Sequence, residues 1–333
     1  MEGELLQAGE RLVIRSEPSW LDGVLWEAVG EPWLPISDGH VDVDVLVERD
    51  TSAFPVSGWE RVTRGAHRRG TACVLENACG SGFDLLVAAE PAARAERHGR
   101  LRVVARWRPP RRERLAALVL RSRFHLLVRA VLLQYPPLWN AGRRGRVPLH
   151  AAAVEIGTSV PLLVGPGGIG RSTVLLAAAR AGGRACSDNV VAGDAHRMFG
   201  LVEPMRVEGG GGRRMAHGRR ERALPGRTSD LEPDRIVVLR RSNSAEPRVE
   251  QIGAAHAARA LTAGTYMAGE LRRYWGFAST LALGTGIGPA HPPIADTAAA
   301  IAARLPAVEI TLTSRPTREV TGMLVAPTEA THV

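Results

Sequence analysis

The sequence predicts an α/β fold with a smaller β-rich domain in front of it. Three observations carry this. Leu162-Leu163-Val164-Gly165-Pro166-Gly167-Gly168-Ile169-Gly170-Arg171-Ser172-Thr173 reads as an apolar strand, a glycine turn and the start of an alanine-rich helix. From Val147 onward the pattern runs strand, loop, helix, strand. Residues 1 to about 108 instead carry short alternating apolar and polar runs, as half-buried strands do. The division falls at residue 146: a front domain, 1–146, ends in a long basic helix, and a second domain spans 147–333.

The 333 residues are enough for two domains, and 45% apolar with 23% charged content is ordinary for a globular protein. No apolar run reaches the length of a membrane span, the most apolar helix (126–133) being interrupted by Arg129. The acidic start Met1-Glu2-Gly3-Glu4 lacks a signal pattern, so a cytoplasmic protein without membrane contact is expected. Cys73, Cys79 and Cys186 have no metal-ligand spacing and are read as free thiols. The net charge of +9 raises nucleic acid as a partner. All 43 basic residues are arginine, however, which points to compositional drift, and aromatic interleaving is absent from the basic 100–146 region. Nucleic acid is therefore disfavoured, while a homo-oligomer is left open.

In the front domain, strands are predicted at 11–15, 41–47, 71–75, 83–88 and 101–107. Asp42 and Asp44 alternate with valines and read as a solvated strand edge. Trp20, Trp26, Trp33 and Trp59 read as packing residues. Pro109-Pro110 precedes a helix over 111–135, which Pro136-Pro137 should end. In the second domain, 149–156 reads as a buried strand containing His150, and 160–164 as the strand before the glycine turn. A helix over 172–181 stops at Gly182-Gly183, and a short strand at 184–187 leads to Asp188-Asn189. The glycines at 209–212 and the charged stretch 213–227 read as a surface loop able to close over a site. A strand at 235–239, a helix over 254–283 with a polar and aromatic stretch at 266–275, a helix at 295–305 and a strand at 308–312 complete the chain.

The glycine turn fits the phosphate-loop pattern G-x-x-x-x-G-K-[ST] at every fixed position except the lysine, which is Arg171. Such a loop binds phosphate through backbone N–H groups at a helix N-terminus. Gly165, Pro166, Gly167, Gly168, Ile169, Gly170, Arg171, Ser172 and Thr173 are thus the candidate nucleotide-binding residues, with Ser172 placed to hold Mg²⁺ and Arg171 to neutralise the outer phosphates. Asp188, at the end of the next strand, is positioned as a metal ligand or catalytic carboxylate.

Taken together, Leu149-His150-Ala151, the glycine loop and Ser187-Asp188-Asn189 resemble the HPr kinase/phosphorylase family over residues 147–250. The flanking parts resemble the HPr-kinase-like proteins found beside peptide natural-product pathways. The resemblance implies a phosphoenolpyruvate-carboxykinase-like P-loop α/β domain that phosphorylates a serine-type hydroxyl with ATP and Mg²⁺. It places His150 near the transferred group, with Glu203 or Glu208 as a second metal ligand. Two positions depart from the family pattern. Arg171 replaces the lysine with a larger, forked cation. Asn189 stands where the family has its general-base aspartate, and a carboxamide cannot take that proton. A general base contributes roughly 10²–10⁴-fold, so its loss slows transfer without abolishing it. The catalytic candidates are Asp188, His150, Arg171 and Asn189. The expected function is an ATP/Mg²⁺-dependent kinase acting on a hydroxyl of a peptide or small metabolite. The alternative is a catalytically altered nucleotide-binding partner of a biosynthetic enzyme.

Overall fold

The computed structural model describes residues 1–90, 99–209, 211–215, 218–242, 247–313 and 322–324. It is a mixed α/β structure. The first 107 residues build an eight-stranded sheet in the spatial order 2–7, 10–16, 43–48, 101–107, 83–89, 72–75, 66–69, 60–63. The strand Val43–Glu48 runs parallel to both of its neighbours. Parallel pairing needs a crossover, and the helix Ser19–Val29 supplies the first one, burying Leu21, Val24, Leu25, Ala28 and Val29. Val43, Val45 and Val47 point into the core.

This placement corrects the reading of Asp42 and Asp44. They are not on a sheet edge. Asp44 lies between Arg15 (2.8 Å) and Arg100, and Asp42 accepts from Arg144 (2.6 Å) and the Arg11 backbone N–H (2.7 Å). Arginines on the flanking strands pair the carboxylates that alternation alone would assign to water. The tryptophans also differ from expectation. Trp20 and Trp26 are about half exposed, whereas Trp139 is fully buried. Trp20 does stack with Phe124 and lies 4.6 Å from Trp107, ring centre to ring centre.

The predicted helix over 111–135 is in fact a run of segments: Arg111–Val119, Arg121–Val128, a π-helical turn Arg129–Gln134, and Tyr135–Arg143. Pro136 and Pro137 do not end it. They occupy the first turn of the last segment, where a missing N–H loses no helical bond.

The second half is built on a six-stranded sheet in the order 184–185, 151–155, 161–164, 235–241, 307–312, 248–251. Its central strands Pro161–Val164, Arg235–Arg241 and Ala307–Leu312 are parallel. Alternate residues feed two cores, as strand geometry requires. Leu162, Val164, Ile236 and Val238 pack under the helices Ala254–Met267 and Ile294–Arg304. Leu163, Val237 and Leu239 pack under the helix Arg171–Arg180. The sheet is thus covered on both faces, which explains its near-continuous apolar strands.

The predicted helix over 254–283 divides at residues 268–271. Its second part, Arg272–Thr285, contributes Tyr274, Phe277, Ala278 and Leu281 to the core of the first sheet. The stretch read as a closing surface loop forms, where described, a small sheet of Met205–Val207, Arg220–Arg222 and Arg213–Arg214. Glu221 at its centre is buried against His125 (2.9 Å) and Arg129 (3.3 Å). Ion pairs across the fold, invisible in a local reading, give this charged segment its place. No helix among the described residues is long and apolar enough to cross a membrane.

Candidate phosphate-binding site

The strand Pro161–Val164 ends at Gly165, and the helix Arg171–Arg180 starts after Gly170. Between them the chain turns tightly. Gly168 (φ +80°) and Gly170 (φ +114°) adopt backbone conformations that other residues rarely enter. A Cβ added at Gly167 or Gly168 would meet nothing within 4 Å, so the loop faces open space. Ile169 N–H bonds back to Pro166 O, and the N–H groups of Thr173 and Val174 bond to Gly170 O. The N–H groups of Gly167, Gly168, Gly170, Arg171 and Ser172 make no hydrogen bond among the described residues. Donors grouped in this way at a helix N-terminus are the pattern of an anion-binding concavity. Pro166 and Thr173 are exposed at its rim.

Ser172 Oγ donates to Asp188 Oδ2 at 2.9 Å. Asp188 is almost wholly buried. Burial, reinforced by the nearby charge of Glu203, lifts its carboxyl to about 6, against the lowering effects of Ser172 and Arg171. Asp188 Oδ1 has no partner at hydrogen-bonding geometry, and the nearby Arg206 backbone N–H stabilises the charge only weakly. A buried carboxylate oxygen without a partner, beside a serine hydroxyl, fits a divalent cation. Glu203 is also buried; it accepts from Asn189 Nδ2 (3.2 Å) and Gln134 Nε2 (3.4 Å). Glu208 is exposed, so of the two glutamates Glu203 is the one that faces Asp188. Among the described residues, no cluster of three or more His, Cys, Asp or Glu side chains forms a metal cage. A cation here would depend on Ser172, Asp188 and the phosphates it accompanies.

His150 and Arg171 form a pair. His150 sits between the strands Val147–Leu149 and Ala151–Glu155, where the chain passes from a four-stranded sheet to the six-stranded one. Its N–H is held by Thr265 Oγ1 (3.0 Å) from the helix Ala254–Met267. Arg171 is buried, and its guanidinium lies on His150: Nη1 donates to the backbone oxygen (2.9 Å) and Nη2 to ring Nε2 (2.6 Å). The ring must accept at Nε2, so we assign the neutral tautomer protonated at Nδ1. Burial first, and the Arg171 charge second, hold its pKa well below the usual histidine value. The forked side chain at the lysine position therefore ties the loop to the preceding strand.

No protein-family model and no curated protein matches this chain. Among solved structures, it is similar to the Hpr(Ser) kinase/phosphatase from Coxiella burnetii. The two share 13% identity over 54% of this chain and 93% of that one, at a TM-score of 0.28. A TM-score that low carries no weight for shared fold or function, so the site must be read from its own geometry.

That geometry brings Ser172, Asp188, Asn189 and Glu203 together below the loop, and pairs Arg171 with His150 at the strand ends. Local motif reading does not find Thr265 or Gln134, which reach the site from distant parts of the chain, or Arg206, which follows Glu203 by three residues. Arg129 offered one usable signal: an arginine inside an apolar helix requires a buried partner, and Glu221 is that partner.

Proposed function

We propose that this protein is an ATP- and Mg²⁺-dependent kinase that phosphorylates a hydroxyl group of a peptide or small metabolite. The observation that carries this is the open glycine loop, with five N–H groups that make no backbone bond among the described residues, joined through Ser172 to the buried Asp188. These N–H groups would take the phosphate oxygens, and the helix N-terminus adds its partial positive charge. Ser172 and Asp188 would hold Mg²⁺, with Glu203 behind Asn189 adding negative charge. When bound, the cation neutralises charge on the transferring group. His150 is a poor general base, because its acceptor nitrogen is already occupied by Arg171. Phosphoryl transfer depends mainly on positioning and charge, and both are supplied without a base at 189.

One observation favours a second reading, a nucleotide-binding partner without turnover. Asn189 donates to Glu203 and so acts as a structural link where a base would stand. Incubation with γ-labelled ATP and a pool of hydroxyl-bearing peptides and metabolites separates the two. Transfer of label that disappears in Asp188→Ala supports the kinase. MgATP-dependent thermal stabilisation without any transfer supports the binding partner.

A further inference from the structure

A cavity of about 240 Å³ is lined in part by Val190 and Glu203. Its walls come from the helical run around 123–138, from the stretch carrying Leu201, Glu203 and Arg206, and from the turn at 269–273. Glu203 also accepts from Asn189, the neighbour of Asp188, so the cavity is linked to the loop site through these two side chains.

The lining is divided by chemistry. Leu126, Leu127 and Leu138 make an apolar wall. Arg123, Arg129, Arg206 and Arg273 bring four guanidinium groups against the carboxylates of Glu203 and Glu270, with Glu221 behind Arg129 and Arg206. Those carboxylates are already engaged. Glu203 accepts from Asn189 and Gln134, Glu270 meets Arg206 at 3.4 Å, and Glu221 is shared with His125. Donors are left over. Arg129 is fully buried, yet its Nη1 has no partner; Arg206 Nε stands 3.6 Å from Glu221 and makes no hydrogen bond. Arg123 and Arg273 are exposed at the rim and form no ion pair among the described residues. Buried donors without a partner are rare, and those of Arg129 and Arg206 leave positive charge close behind the cavity wall. Arginine forks match carboxylate geometry. The volume falls below the roughly 300–1,000 Å³ of drug-sized pockets, which limits the occupant to a small molecule or a single side chain.

We propose that this cavity is the acceptor site and that it takes a small hydroxy acid. The carboxylate binds among the arginines, the hydrocarbon body lies on Leu126, Leu127 and Leu138, and the hydroxyl points past Glu203 toward Asp188. The word acceptor rests on the kinase reading; the preference for an acid does not. In the transfer, the hydroxyl oxygen forms a bond to the terminal phosphorus of ATP as the bond from that phosphorus to its bridging oxygen breaks. ADP leaves with the electron pair, and the hydroxyl proton passes to water.

The test uses the full chain, calorimetry, and 3-hydroxybutyrate and 3-hydroxyhexanoate, each beside its methyl ester. The acids should bind at least tenfold more tightly than the esters. Replacing both rim residues, Arg123→Gln with Arg273→Gln, should remove that preference while leaving ester and MgATP binding unchanged. Acids no tighter than their esters, or a double variant that keeps the preference, overturn the proposal. MgATP binding measured on the same sample separates the two levels. If MgATP binds and the acid preference is absent, this inference alone fails. If the acid preference holds and MgATP does not bind, the acceptor role falls with the kinase reading and only an acid site remains.

Discussion

Asp188→Asn should stabilise the nucleotide-free protein, with a gain that builds between about pH 4 and about pH 6 and stays full above that window. Asp188 is buried, and its carboxyl is raised from 3.8 to about 6, by burial first and by Glu203 next. The folded protein therefore keeps a proton on Asp188 where the unfolded chain has lost it. Stability must then fall as pH rises between about 4 and about 6, and stay low above that window. A shift of about two units corresponds to roughly 3 kcal/mol. Asparagine is neutral at every pH and can still accept from Ser172 Oγ, so it removes this penalty. Urea unfolding in EDTA-containing buffer should give a variant more stable than wild type by up to about 3 kcal/mol at pH 8, and equal to it at pH 4. The same substitution should weaken Mg²⁺-dependent nucleotide binding, since a site built for a cation is strained without one. A difference that is flat with pH, or an asparagine variant less stable at pH 8, would refute the claim that Asp188 is a buried charge awaiting a partner.

Three further outcomes are expected. Glu221→Gln should destabilise the fold by about 3–5 kcal/mol at pH 7, because it strands the buried Arg129 and His125. Although burial opposes its ionisation, the His125 hydrogen bond and the Arg129 charge hold Glu221 at about 2, so the wild-type advantage in denaturant melts should be complete above pH 4.5 and shrink from there toward pH 2. Arg171→Gln should raise the titration midpoint of His150, read from imidazole resonances, while burial (the larger cause) still keeps it below the usual histidine value; an unchanged midpoint would mean the pair does not interact as drawn. Asn189→Asp should lose the bond to Glu203 and set two carboxylates together, lowering stability by about 1–3 kcal/mol at pH 8 and by less at pH 5, where the two can share a proton; an aspartate variant as stable as wild type at pH 8 would contradict this.

The strand, glycine turn and helix at 161–180 were legible because their signal is local: they follow one another within a dozen residues or so. The placement of Asp188 beside Ser172 was legible for a related reason, since a strand running the same way as the loop strand, one strand removed in the sheet, delivers its end to the same edge. The direction of Arg171 was not. A long flexible side chain can reach phosphate or turn back, and the carbonyl and ring of His150 decide it. Asn189 had been read as a missing base; its positive role as a donor to Glu203 needs the fold to be visible. The charged stretch 213–227 misled because composition reports how many charges are present and not where their partners lie. Glu221 finds His125 and Arg129 some ninety residues earlier in the chain. The long helix was overextended at its break and cut short at its prolines, because a π-helical turn has no simple residue signature.

The central claim is that residues 165–173 bind the phosphates of a nucleotide with a cation held at Ser172 and Asp188. Calorimetric titration of the full chain with ATP, ADP and pyrophosphate, each with and without Mg²⁺, tests it most directly. Saturable binding of ATP that tightens with Mg²⁺, and that loses the Mg²⁺ effect in Ser172→Ala, is the predicted result. Absence of binding to all three ligands under both conditions would contradict the account.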